Sequence, residues 1–514
     1  MASSSSEDVS NRSQQSPIAS QRPAAQGKAY FPLGYKEAVN QWWQGYSPAA
    51  TEHRVLSFIP YLQSPPTHTQ TGSAPASIAG PSVHLSENGG IAEPVTSNSI
   101  TDAHGPRRWT SKLVQLPGKD RALNEFSVER VGEDVENNLV ILHGYGAGLG
   151  FFYKNFEALS RASGWRLYAL DLLGMGRSSR PTFKIHAKDH QGKITEAENW
   201  FIDALEDWRV ERKIERFTLM GHSLGGYMAV AYALKYPGRL NKLILASPVG
   251  IPEDPYAVSA EMPEPQDSTL QNEFAQDQES AVSGKPQADG NNFMNKGPKE
   301  GTDTPRRPLP KWLTYLWDQN ISPFSVVRWA GPLGPKLVSG WTSRRFSHLP
   351  EEEAKALHDY SYSLFRQRGS GEYVLAYVLA PGAFARSPLI RRIQGVGRQY
   401  LGIHAGPIPD ADTNAVVTEG PRENGLPVVL MYGEHDWMDV AGGLAAEQKL
   451  KDEKERVLKG KSKEERQRDQ GDAKVTIIKK AGHHVYLDGY KQFNQEIIGE
   501  MQDVEEREKA RGSS

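Results

Sequence analysis

One stretch limits the possible folds more than any other: Phe217-Thr-Leu-Met-Gly-His-Ser-Leu-Gly-Gly226. An apolar, strand-like run, Phe217 to Met220, meets Gly221-His222-Ser223-Leu224-Gly225, and a helix-like segment, Tyr227 to Leu234, follows. A strand, a Gly-x-Ser-x-Gly turn and a helix in that order form the context of a nucleophile elbow. There a serine on a sharp turn lifts its Oγ clear of the sheet. Gly221 and Gly225 flank Ser223 at −2 and +2, where a crowded bend leaves no room for Cβ atoms. The motif therefore predicts a parallel sheet, with the reactive group at the carboxyl end of one strand.

The remaining strands should obey that sheet. Phe126–Val131 alternates like a sheet-edge strand. Asn138–Leu142, Arg166–Asp171, Lys242–Ala246, Pro427–Met431 and Val475–Ile478 are short apolar runs of the kind buried on both faces of a parallel sheet. Helical patterns separate them, among them 199–209 with Trp200, Ile202, Leu205 and Trp208 on one side. The rhythm predicts an α/β fold, a mostly parallel sheet with helices on both faces.

The rhythm is interrupted, and the interruptions divide the 514 residues. Residues 1–28 are rich in Ser, Gln, Pro and Ala and read as disordered. An aromatic, helical N-terminal segment spans 29–62 and a Pro/Ser/Thr/Gly-rich linker 63–104. The first part of the core is expected at 105–252, a disordered insertion at 253–308 and a helical cap at 309–400. Pro310, Pro323, Pro332 and Pro335 cut that cap into short helices. A linker at 401–425 leads to the second part of the core, 426–503, with a final helix over about 489–503 and a tail at 504–514. Within it the Lys/Glu/Arg run 444–474 reads as a solvated helix or flexible insertion. Trp42 and Trp43 have two readings, packing on the core or sitting at a lipid interface, where indole joins an apolar body to a polar N–H.

Composition removes several functions. The formal net charge is −2, so no global field points to nucleic acid. With no cysteine there is no disulfide, thiolate metal site or cysteine nucleophile. No run approaches the roughly 18 apolar residues of a membrane-spanning helix. The N-terminus lacks the apolar core of a secretory signal, and Glu7 and Asp8 count against a mitochondrial presequence despite Arg12, Arg22 and Lys28.

Ser223 is a poor nucleophile unless an imidazole takes its proton and a carboxylate orients that imidazole. Both are expected at the ends of later strands. Asp436 directly follows one, with Asp439 the alternative; His483 follows the last, after Ala481-Gly482, with His484 the competing choice. The order Ser, Asp, His separates this arrangement from the other serine-hydrolase orders. Two backbone N–H groups must face the developing oxyanion: that of Leu224 and that of Tyr145, in the loop after His143-Gly144. His143 itself reads as structural. Neither the 143–150 loop nor Gly174-Met-Gly-Arg-Ser178 completes a dinucleotide fingerprint, and no phosphate-binding P-loop occurs. No cofactor and no metal are expected.

His143-Gly-Tyr-Gly-Ala-Gly148, Asp171-x-x-Gly-x-Gly-x-Ser178, Gly-His-Ser223-Leu-Gly-Gly-Tyr227 and Gly-His483-His-Val-Tyr-x-Asp488 together resemble one branch of the α/β-hydrolase superfamily. That branch of lipid-metabolising hydrolases includes the animal lipase co-activator linked to neutral lipid storage disease and the N-acyl-phospholipid lipase beside it. It also includes the fungal cardiolipin-specific deacylases and lysophosphatidic acid acyltransferases. The resemblance covers roughly 35–62, 109–252, 309–400 and 426–503. It implies a phospholipid substrate, such as cardiolipin or an N-acyl phospholipid, and a deacylase acting through an acyl-serine. The alternatives it implies are a lysophosphatidic acid acyltransferase and a non-catalytic lipase co-activator or lipid-binding scaffold. The co-activator lacks the serine that this chain keeps, which favours an enzyme. The resemblance also implies a peripheral place at the mitochondrial inner membrane, or alternatively in the cytoplasm or on lipid droplets. The family's H-x-x-x-x-D signature, read by some as an acyltransferase motif, is matched by His483 and Asp488; the plainer expectation makes Asp488 the N-cap of the final helix.

Overall fold

Strands that alternate their apolar side chains between two covered faces build this molecule. A computed structural model describes residues 31–62, 64–68, 95–98, 102–253, 322–380, 384–401 and 420–512. In chain order the elements begin with helices α1 (Tyr35–Gln44) and α2 (Pro48–Leu56), then strands β1 (Val95–Asn98), β2 (Arg107–Gln115), β3 (Ala122–Arg130) and β4 (Asn137–Leu142). Next come α3 (Tyr153–Leu159), β5 (Trp165–Leu170), α4 (His190–Glu211), β6 (Phe217–His222), α5 (Leu224–Lys235) and β7 (Leu240–Ala246). The cap follows as α6 (Pro323–Trp329), α7 (Gly334–Arg345), α8 (Glu351–Phe365) and α9 (Leu375–Val378). The chain ends with β8 (Pro427–Gly433), α10 (Val440–Leu458), α11 (Lys463–Arg468), β9 (Asp472–Ile478), α12 (Val485–Asp488) and α13 (Tyr490–Gly512).

The sheet order is β1-β2-β3-β5-β4-β6-β7-β8-β9. The first three strands and the β3–β5 pair run antiparallel, and every pair from β5 to β9 is parallel. Successive side chains of a strand point to opposite faces. Thus Val140, Leu219, Leu243, Leu245 and Leu430 join a core with Trp208 of α4 and Tyr227 of α5. Ile141, Met220, Ile244 and Met431 join the other, with Phe156 of α3 and Phe493, Ile497 and Met501 of α13. The fold is the α/β-hydrolase fold with a mostly parallel sheet.

The N-terminal helices dock on the cap as well as the core. Gln41 donates to Asp359 of α8 at 2.8 Å, Arg54 pairs with the same carboxylate at 2.8 Å, and Thr51 meets Ser363 at 2.8 Å. Glu52, buried in α2, pairs with Arg177 and accepts from Asn124 at 3.1 Å. Pro323 and Pro335 sit in the first turns of α6 and α7, where a missing N–H costs nothing.

Three sequence expectations need correction. The 63–104 segment is not all linker, because β1 pairs with β2, Val95 opposite Ser111. Val-Thr-Ser-Asn carries no apolar alternation, so only a partner strand reveals it. Residues 504–512 are not a tail but the last turns of α13: Val504 is buried, Glu505 accepts from Trp165 Nε1 at 2.7 Å and Glu508 pairs with Arg216 at 2.9 Å. Asp488 does not cap α13; it ends α12, and Gly489 stands between them. The 444–474 run lies mostly in the solvated helices α10 and α11, and its last residues, 472–474, open β9. α10 is laced by Lys451–Glu447 at 2.5 Å and Arg456–Glu453 at 2.6 Å, and α11 opens on a Ser462/Glu465 capping box. The expected disorder at 1–28 and 254–308 and the linker from 402 to 419 lie outside the described residues.

Candidate active site

β6 ends at His222 and α5 begins at Leu224, so Ser223 is the turn itself. Its φ of 52° and ψ of −117° lie where side-chain-bearing residues rarely settle. Neighbours hold it there. Its N–H donates to Ala246 O at 3.0 Å, and its carbonyl accepts from Gly226 N at 2.9 Å and Tyr227 N at 3.1 Å. A Cβ on Gly221 would lie 2.3 Å from Gly225 O, and one on Gly225 would lie 2.7 Å from His143 O. Neither glycine can be replaced without moving backbone. Ser223 itself is only half-buried.

The loop after β4 lies against the serine: a Cβ on Gly144 would come 3.0 Å from Ser223 Cβ. His143 is fully buried and orders this loop. Its Nδ1 donates to Gly144 O at 2.7 Å, and its Nε2 accepts from Leu172 N at 3.0 Å. Those partners fix one neutral tautomer, and burial lowers the pKa below the usual histidine value. Asp171 braces the loop from outside, accepting from Leu149 N and from Arg177 N, both at 2.7 Å. The amides of Tyr145 and Leu224 have no acceptor among the described residues. Tyr145 follows Gly144, and Leu224 follows Ser223 and opens α5, whose dipole presents its positive end there.

Asp436 and His483 meet: Nδ1 of the imidazole lies 3.1 Å from Asp436 Oδ1, and both residues are buried. Met438 N donates to the same carboxylate oxygen at 3.0 Å. Burial pushes the Asp436 carboxyl up, but the charge and hydrogen bond of His483, together with hydrogen bonds from Ser247 and Met438 N, outweigh it, and its pKa lies below the ordinary aspartate value. An ionised Asp436 holds the proton on Nδ1 and leaves Nε2 as the basic nitrogen. Asp439 is elsewhere engaged: exposed, it caps α10 by accepting from Ala441 N at 3.0 Å. His484 heads α12 and is buried beside Phe151 and Tyr486. Asp488 accepts from Gly482 N at 3.1 Å.

His222, next to Ser223 in the chain, lies close to His483. Its Nε2 donates to the His483 carbonyl at 3.0 Å, and the two ring centroids are 4.8 Å apart. Burial is the main reason its pKa falls well below the ordinary value, so it remains neutral. The Trp437 ring centroid lies 4.8 Å from that of His483 on another side. Sequence reasoning gave neither His222 nor Trp437 a part. Their positions beside Ser223 and Asp436 were the available signal.

Over the loop that holds Tyr145 the cap lays an aromatic stack. Tyr145 lies against Phe324 at 5.0 Å between centroids, and Phe324 against Phe365 at 4.4 Å. From α8, Tyr360 OH accepts from Gly150 N at 3.4 Å. Apolar walls of this kind suit an acyl chain. Among the described residues no group of His, Asp and Glu side chains could hold a metal ion, and no helix is long and apolar enough to cross a membrane.

Comparison with known proteins agrees with this geometry. The family model described as "alpha/beta hydrolase fold" matches residues 137–490. A protein of Arabidopsis thaliana named 1-acylglycerol-3-phosphate O-acyltransferase is 31% identical over 371 residues, covering 70% of this chain and 70% of its own. The Rattus norvegicus protein named 1-acylglycerol-3-phosphate O-acyltransferase ABHD5 is 30% identical over 364 residues, covering 70% of this chain and 75% of its own.

Proposed function

The chain belongs to the α/β-hydrolase fold family, as a relative of its lipid-acting branch, and on that premise we propose that it deacylates membrane phospholipids through an acyl-Ser223 intermediate. The observation that carries the proposal is the Asp436–His483 contact of 3.1 Å beside a serine held at φ 52°. In this reading His483 Nε2 takes the Ser223 proton as Oγ attacks the ester carbonyl. The amides of Leu224 and Tyr145 receive the oxyanion, and Asp436 stabilises the imidazolium. Collapse expels the lysolipid alcohol, protonated by His483. Water, activated by the same imidazole, then releases the fatty acid.

A second reading changes only the last step. A lysophosphatidate hydroxyl replaces water, giving phosphatidate, as the names of the relatives suggest. Either reaction needs a lipid surface. Tyr35 and Trp43 of α1, Trp329 of α6, Leu333 of the adjoining turn and Leu337 of α7 are exposed, on elements that pack together. Trp43 is 82% and Trp329 72% exposed, which supports the interfacial reading for Trp43. We place the protein at the periphery of a membrane, that of the mitochondrial inner membrane before the cytoplasm or a lipid droplet; fractionation with a tagged chain tests this.

The decisive experiment is lipid analysis of mixed phospholipid vesicles incubated with wild type and with Ser223→Ala, with and without acyl-CoA and lysophosphatidate. Loss of turnover on the order of 10⁴-fold in the variant supports the acyl-serine. Equal fatty-acid release by both proteins rejects it. Absence of turnover together with no labelling of Ser223 by a fluorophosphonate favours a non-catalytic scaffold.

A further inference from the structure

The C-terminal end of α7 carries Arg344 and Arg345, and Phe346 follows. Phe346 is buried, with its ring 6.0 Å from that of Phe151, which is itself 6.5 Å from the His484 ring. Two residues further on, His348 Nε2 reaches Asp488 at 3.3 Å, the carboxylate that also accepts the Gly482 amide. Arg345 is thus delivered by the cap to the edge of the loop that carries His483. Its charge is felt there: after burial, it adds to the lowering of the pKa values of both His222 and His348.

Yet Arg345 Nε and Nη2 are buried without a hydrogen-bond partner among the described residues. These two atoms form one edge of the guanidinium, the parallel donor pair that grips a carboxylate or phosphate with two hydrogen bonds. Buried charged donors are normally satisfied, and an empty pair asks for a ligand. The protein anions nearby are already engaged, Asp488 with Gly482 and His348, and Glu353 with Lys154 at 2.8 Å. The neighbouring Arg344 also has a buried Nε without a partner. Two cationic groups with unpaired donors favour a dianion over a singly charged phosphodiester or carboxylate.

We propose that the Nε/Nη2 edge of Arg345 recognises a phosphate monoester, the headgroup of a lysophosphatidate, where the cap meets the loop that carries His483. The lipid half of this inference rests on the proposed function; the anion site does not. It gives the cap a part in selecting the substrate as well as in covering the acyl chain.

The test is calorimetric titration of the full-length protein with lysophosphatidate, glycerol 3-phosphate, inorganic phosphate and lysophosphatidylcholine. Wild type and Ser223→Ala should bind lysophosphatidate equally, which separates this inference from the acyl-serine proposal. Arg345→Gln should weaken that binding on the order of 10- to 100-fold. Arg345→Lys, which keeps charge but loses the fork, should fall between, and lysophosphatidylcholine binding should not respond. Tighter binding of lysophosphatidate than of glycerol 3-phosphate or phosphate identifies the lipid headgroup; equal affinities with the same Arg345 dependence identify a free phosphate. The inference is overturned if Arg345→Gln or, should that variant melt early, Arg345→Lys binds lysophosphatidate as wild type does, or if wild type shows no saturable binding.

Discussion

Asp488 accepts the Gly482 amide at 3.1 Å with one carboxylate oxygen and meets His348 of the cap at 3.3 Å with the other. The spacing from His483 to Asp488 therefore has a mechanical meaning. The carboxylate ties down the residue before the imidazole and links that loop to the cap. Asp488→Ala should reduce hydrolysis and acyl transfer together, on the order of 100-fold, because a misplaced base slows both. The ratio of acyl product on water to that on lysophosphatidate should not change. Selective loss of transfer would instead make Asp488 part of an acyltransferase device.

Asp436 and Asp439 lie three residues apart and face different tasks. Asp436→Asn is expected to cost on the order of 10⁴-fold in turnover with little change in melting temperature. Asp439→Ala should keep activity within a few-fold and lose about 1 kcal/mol of stability as a missing helix cap. Parallel kinetics and urea unfolding of the two variants decide the assignment, and the reverse pattern would exchange their roles.

His358 joins α1 to the cap, with Nδ1 2.8 Å from Thr342 Oγ1 and Nε2 3.0 Å from Gln41 Oε1. Burial lowers its pKa from 6.5 to about 3. The unfolded chain therefore binds a proton that the folded chain refuses between those values. This contribution is complete above pH 6.5 and is lost as pH falls toward 3. Asp359 beside it, raised by burial to about 6, acts in the opposite sense, so the readout must be a difference. Between pH 7.5 and 5, wild type should lose about 2 kcal/mol more than His358→Gln in urea unfolding. Identical losses would show that His358 does not carry the acid sensitivity.

Trp43 of α1 and Trp329 of α6 extend into solvent. Replacing either by Ala should weaken sedimentation with phospholipid vesicles on the order of tenfold, while turnover of a water-soluble ester stays unchanged. Unaltered vesicle binding in the double variant would return both indoles to an incidental surface role.

Much of this architecture could be read before any coordinates. Asn138–Leu142 and Pro427–Met431 are apolar at every position or nearly so, which suits strands covered on both faces and little else. β1 could not be read, since Val-Thr-Ser-Asn becomes a strand only when β2 offers its edge. β2 begins Arg107-Arg108, and Arg107 is buried because Asp102 and Glu157 neutralise it, a compensation that local pattern does not display. The last turns of α13 looked like a charged tail until Arg216 and Trp165, remote in sequence, supplied partners for Glu508 and Glu505.

What the chain determined by itself is the chemistry around Ser223: a strand, a turn whose glycines admit no Cβ, and a helix, with an acid and a histidine at later strand ends. These are local or periodic properties, and a linear reading detects them. Only the tertiary structure paired Asp436 rather than Asp439 with His483, placed His222 against His483, and left Arg345 with an unpaired set of buried donors at the edge of the loop that carries His483. Those outcomes depend on which surfaces meet across hundreds of residues, and a side chain's burial and partners are set by that meeting.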